Sequence, residues 1–100
     1  MPLIEYYGVL FEWHDDKAEL VLKNRALTLE EVASVFLDTY AITAEDTGHY
    51  DEQRLLTVGM SSQGRLITVV WVERGDTVRI ITAFESALTQ QRRYQHERGS

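Results

Sequence analysis

The feature that most constrains this chain is Leu66-Ile67-Thr68-Val69-Val70-Trp71-Val72, a run that is apolar almost without interruption. A strand with one wet face alternates, whereas a run like this one is covered on both faces and sits at the centre of a sheet. A chain of 100 residues must therefore supply covering layers for both sides from its own remaining segments. Alternating patterns at Arg54–Met60 and Thr77–Phe84 flank the run, joined to it by the turn sequences Ser61-Ser62-Gln63-Gly64 and Arg74-Gly75-Asp76. Leu3–Trp13 reads as extended with an interruption at Gly8, and Tyr40–Thr43 as a short strand. Two helices separate these. His14-Asp15-Asp16 opens the first, with Ala18, Val21 and Leu22 on its apolar face and Lys23 and Arg25 near its end. Thr28-Leu29-Glu30-Glu31 has the spacing of a capping box, and Leu29, Val32, Ala33, Val35 and Phe36 make a stripe ending near Asp38. A polar helix from Ser86 to about Arg98, with Ala87, Leu88, Gln91 and Tyr94 on one side, closes the chain. The expected fold is one α+β domain over residues 1–100: an N-terminal strand, an αα-hairpin, an antiparallel meander of about four strands and a C-terminal helix.

Composition excludes several kinds of chemistry. Without cysteine there are no disulfides, thiolate zinc sites or cysteine nucleophiles. No apolar stretch is long enough to cross a bilayer, and Met1-Pro2-Leu3-Ile4-Glu5 is unlike a secretory leader, so a cytoplasmic location is expected. The net charge of −6 is unevenly placed. Residues 1–53 hold twelve acids and three bases, whereas residues 54–100 hold four acids and seven bases, all arginine. Arginine's planar fork suits bidentate phosphate contacts, so a local anion-binding surface is compatible with an acidic whole. The same residues also fit a solvated surface, and the overall sign opposes non-specific nucleic-acid binding at long range.

Motifs are scarce: the chain has no glycine-rich phosphate loop, nucleophile elbow or metal-binding helix signature. His49 with Asp46 and Glu52 has the residue types of a metal cluster but a spacing that short polar loops also produce by chance, so no metal and no cofactor is expected. A histidine titrating near neutrality can also transfer a proton, and His49 fits either that role or an exposed loop position. Arg54, Arg65 and Arg79 fall on three successive strands. Arg79, between Val78 and Ile80, points away from whatever they bury and needs a partner, either a carboxylate such as Glu73 or a bound phosphate.

The ordered blocks Phe11-Glu12-Trp13-His14-Asp15-Asp16-Lys17-Ala18, Leu29–Asp38, His49-Tyr50-Asp51-Glu52-Gln53-Arg54, Val58-Gly59-Met60-Ser61, Gly64-Arg65-Leu66-Ile67, Glu73-Arg74-Gly75-Asp76, Val78–Ala83 and Tyr94 resemble the BrnT family of toxins. The resemblance covers about residues 11–94 and implies the toxin half of a type II toxin–antitoxin pair. It implies a RelE-like ribonuclease that inhibits translation, a ribbon-helix-helix antitoxin as partner, RNA as substrate, and operator DNA reached only through the antitoxin. Lys17, His49, Glu52, Arg54, Glu73 and Arg79 match the family's polar positions. His14, Val21, Asn24-Arg25, Phe84 and Gln90 depart from it, replacing an Asp, an Asn, a Lys-His pair, an Arg and a Glu.

The resemblance leads to a set of expected roles. Arg54 and Arg79 clamp phosphate, His49 or Glu73 transfers protons, and Lys17 supports them. The departures open a second expectation, a protein that keeps the antitoxin-binding surface with little nuclease activity.

Overall fold

The structure is a computed structural model that describes residues 3–46 and 53–99. Its centre is one mixed sheet of six strands: β1 (Leu3–Tyr6), β2 (Val9–Trp13), β3 (Ile42–Asp46), β4 (Arg54–Met60), β5 (Leu66–Arg74) and β6 (Thr77–Glu85). Their spatial order is β1-β2-β6-β5-β4-β3. The expectation of about four strands in an antiparallel meander is corrected in two ways. Residues 3–13 form a hairpin rather than one strand, because Tyr7 and Gly8 both take positive φ, 51° and 81°, as a two-residue type I′ loop requires. The hairpin then joins the meander through a parallel pairing of β2 with β6, Leu10 opposite Thr77 to Trp13 opposite Ile80. The short strand expected at 40–43 lies at Ile42–Asp46.

The central strand is as its composition demands. Ile67 and Val69 are buried towards one face, and Thr68, Val70 and Val72 towards the other. On the first face sit α1 (Asp16–Asn24) and α2 (Leu29–Ser34), the latter continued by a 3-10 turn over Val35–Leu37. Phe11, Trp13, Leu22, Leu27, Val32, Val35, Ile67, Val69 and Ile80 belong to one core there. Gly59 lets the 3-10 turn press on the sheet, since a Cβ at that position would lie 3.0 Å from Val35 Cγ1 and 3.1 Å from its carbonyl oxygen. On the opposite face α3 (Leu88–Gly99) crosses β4, with Gln90 and Arg93 beside Ile42, Leu56 and Val58. Tyr94 alone of the residues expected on its apolar side is buried, and its hydroxyl donates to Asp38 Oδ2 at 2.6 Å. Leu88, expected beside it, is exposed.

The helix ends show which local signals were used. Asp15 caps α1 by accepting from Ala18 N at 2.7 Å. That helix stops in a Schellman arrangement: Leu27 N donates to Leu22 O and Ala26 N to Lys23 O, with Ala26 at φ 57°. Thr28 caps α2 through Glu31 N, 3.0 Å away, but the expected reciprocal half of the capping box is not made. The buried Glu31 carboxylate turns instead to Ser61 Oγ (2.7 Å), Arg65 Nε (2.9 Å) and a terminal nitrogen of Arg65, fastening α2 to the β4–β5 turn. The Arg65 hydrogen bonds hold the Glu31 carboxyl below its ordinary range, outweighing the opposing effect of burial.

Three outcomes follow from these contacts. Ala26→Gly relieves a left-handed alanine and raises stability by about 1 kcal/mol, whereas Gly59→Ala lowers it by about 1–3 kcal/mol; chemical denaturation of both variants checks the opposite signs. The stabilisation from Glu31 is complete above its unfolded value of ~4.3 and is lost as pH falls through its lower folded value. Melting temperature below that pH therefore declines less steeply for Glu31→Gln than for the parent.

Candidate functional site

Strand alternation and register assemble a line of charge across the sheet on the face away from α1 and α2. Glu12 of β2 pairs with Arg79 of β6, and Arg79 with Val72 of β5. Asp46 of β3 pairs with Arg54 of β4, which continues the line beyond Val72. Arg74, two residues along β5 from Val72, shares that face. Val72 is buried between the two arginines, the place where long aliphatic stems cover an apolar side chain and keep their heads in water.

Arg79 has the partner that its position demands, but a different one from the carboxylate named in the sequence. Its Nε donates to Glu12 Oε1 at 2.9 Å, and a terminal nitrogen lies 2.9 Å from the same oxygen. The two side chains keep 29% and 20% exposure, so this pair is half-buried and open on one side. Glu73 pairs with Val78 in the register and therefore points to the helix-bearing face, where it is exposed. Arg65 is also engaged, by Glu31 and by Glu85 at 3.4 Å. The acidic first half of the chain thus sends Glu12 and Glu31 to the arginines of the second half.

A second feature adjoins the line at one end. The parallel pairing stops at Trp13, after which His14 N donates the last ladder bond to Ile80 O at 2.7 Å and the chain turns into α1. At this point the β5–β6 register skips Ile81, passing from Trp71 opposite Ile80 to Val70 opposite Thr82. Such a bulge kinks the strand and re-aims its side chains. Arg25, from the end of α1, closes over the strand edge that β2 has left: one nitrogen donates to Thr82 Oγ1 (3.1 Å) and to Ala83 O (2.9 Å). Its guanidinium carbon lies 6.0 Å from the Phe84 ring centre. Between α1 and the bulge is a hollow of about 240 Å3 lined by His14, Asp15, Lys17, Ala18, Val21, Ile81 and Thr82. The Nδ1 atom of His14 is buried without a hydrogen-bond partner among the described residues.

Of the residues singled out in the sequence, Arg54 and Arg79 share the open sheet face and Lys17 lines the neighbouring hollow. Glu73 is not brought to them, and His49 and Glu52 lie outside the described residues. Sequence reasoning missed Glu12, which is separated from Arg79 by 67 positions, and gave no site role to His14. Four departures from the family pattern, His14, Val21, Arg25 and Phe84, gather around the strand edge, and that clustering is a signal only the fold reveals. Among the described residues no three histidine, aspartate or glutamate side chains form a metal-ligand group. No described helix is long and apolar enough to cross a membrane.

Comparison with known proteins agrees with the arrangement of blocks along the chain. A family profile described as ribonuclease toxin, BrnT, of type II toxin–antitoxin system matches residues 13–87. A search of curated proteins gives no match. The matched segment runs from the end of β2 through both helices and the whole of β3 to β6, and so contains Arg54, Arg79, Lys17 and the strand edge. On that match, the chain belongs to the BrnT family of ribonuclease toxins from type II toxin–antitoxin systems.

Proposed function

We propose that this protein is a RelE-like endoribonuclease toxin that cuts RNA in the cytoplasm and so inhibits translation. The observation that carries the proposal is the placement of Arg54 and Arg79 on one open sheet face, flanking Val72. Two strand spacings separate their backbones by about 9.6 Å, a span that two long guanidinium side chains can close over one phosphodiester. In this chemistry the 2′-oxygen forms a bond to phosphorus as the bond to the 5′-oxygen breaks, and no metal is required in principle. Cations at the phosphoryl oxygens stabilise the charge that builds in the transition state. Glu12 holds Arg79 from one side and leaves the rest of the guanidinium towards the open face, so it acts as a positioning residue. Proton transfer falls to His49, in the segment joining Asp46 and Arg54, the pair that ends the charged line. Glu73, on the other face, serves this role less well. The partner is a small ribbon-helix-helix antitoxin, which alone contacts operator DNA. Complementary charge between a basic antitoxin and a chain of net charge −6 speeds and selects that pairing.

The Arg79–Glu12 pair favours a second reading, a toxin-like binder whose clamp is already neutralised and whose nuclease activity is weak. Production of the chain alone in a bacterial host separates the two. Growth arrest with RNA cleavage is expected, whereas harmless accumulation of folded protein supports the binder. In the active case Arg79→Ala lowers the RNA cleavage rate by about 100-fold or more in a protein that still unfolds in one cooperative transition. Parent-like cleavage by that variant would remove Arg79 from the clamp.

A further inference from the structure

The hollow between α1 and the β6 bulge has its own donors, separate from the Arg54–Arg79 line. Lys17 lines it and makes no ion pair among the described residues, so its ammonium remains available. Thr82 Oγ1 accepts from Arg25, which leaves the hydroxyl hydrogen free to donate into the space. His14 contributes through asymmetry. Its Nδ1 is buried with no partner among the described residues, which leaves Nε2 as the ring nitrogen that can meet a ligand. Three residues that carry donors of different kinds thus line one small cavity. Asp15 is the opposing charge on its rim, but its Oδ1 is engaged at Ala18 N as the α1 cap. Across β6 the charged neighbours are Arg79, already held by Glu12, and Arg25, already held by Thr82 and Ala83.

We propose that this hollow is a second phosphate subsite, in which Lys17, the Thr82 hydroxyl and His14 Nε2 hold a phosphate of the RNA strand next to the one clamped by Arg54 and Arg79. The inference rests on the ribonuclease reading and adds to it a flanking contact. By gripping a neighbouring phosphate, the subsite fixes where along the strand the reacting phosphodiester falls. It acts through binding and register, not through the bond-breaking step. A phosphate is favoured over a base because the lining offers donors and a lysine, while its apolar members, Ala18, Val21 and Ile81, are aliphatic and its one ring, that of His14, is wanted for its Nε2.

The test uses the full chain and a 2′-O-methyl RNA octamer, which cannot be cleaved. The parent binds it with an affinity that falls with salt, and Lys17→Ala lowers the log–log salt slope by about one. Thr82→Val, which preserves the side chain's shape, weakens binding about three- to tenfold. In parallel, inorganic phosphate titrated into nitrogen-15-labelled protein shifts the His14 Nε2 resonance saturably in the parent and not in Lys17→Ala. Octamer binding with a salt slope unchanged by Lys17→Ala overturns the subsite and leaves the RNA reading in place. A phosphate-sensitive His14 in a parent that does not bind the octamer overturns both, and shows a site for free phosphate instead.

Discussion

The candidate site depends on where β2 stops. β6 has two neighbours from Thr77 to Ile80, a parallel partner in β2 and an antiparallel one in β5. The bond from His14 to Ile80 is the end of the first ladder, and the chain is then drawn away by the Asp15 cap into α1. What remains of β6 is an edge within a fold that otherwise surrounds it, and edge carbonyls and amides need partners. Arg25 supplies one, the Ile81 bulge bends the strand out of register, and the space left between helix and strand becomes the hollow. Cap, bulge and arginine are local details, but together they follow from a parallel strand that is only five residues long.

The distribution of charge has a similar logic. An acidic first half and an arginine-rich second half suggest two electrically separate regions, yet the fold joins them. Glu31 reaches Arg65 from α2, and Glu12 reaches Arg79 from β2. The former is a structural fastening, with the carboxylate buried and its remaining capacity taken by Ser61. The latter is only half-buried, and orients a guanidinium without enclosing it. The same pairing of residue types thus serves stability in one place and leaves a cation usable in the other, and burial makes the difference.

Much of this was legible in the sequence wherever the controlling forces are local. The double-sided burial of β5, the Asp15 and Thr28 caps and the two later hairpins follow from apolar pattern and turn residues. The N-terminal hairpin was hidden because one of its two loop residues is Tyr7, a residue that seldom takes positive φ. The parallel β2–β6 pairing joins segments more than sixty residues apart, and no periodicity records such a partner. For the same reason Glu31 could be read only as half of a capping box and Glu12 not at all as the mate of Arg79. Glu73 is a different case. The alternation Ile67, Val69, Trp71, Glu73 places it with the core-facing set, and the two-residue turn at Gly75-Asp76 sets it opposite Val78 rather than Arg79. Arg54 and Arg79, by contrast, reach the same face as their strand positions require.

The attachment of α3 gives its side of the sheet a distinctive character. Among its described side chains only Tyr94 is buried, and that phenol meets the same Asp38 carboxylate oxygen that accepts the amide of Met60. One acidic group beyond the end of α2 therefore secures both the tip of a central strand and the cover laid across it. The two helices of the other face share a core of a dozen buried side chains, whereas this one buries Tyr94 and lays Gln90 and Arg93 beside Ile42, Leu56 and Val58. The two sides of the sheet are thus shielded from water by unequal means, an apolar core behind and a largely polar helix in front.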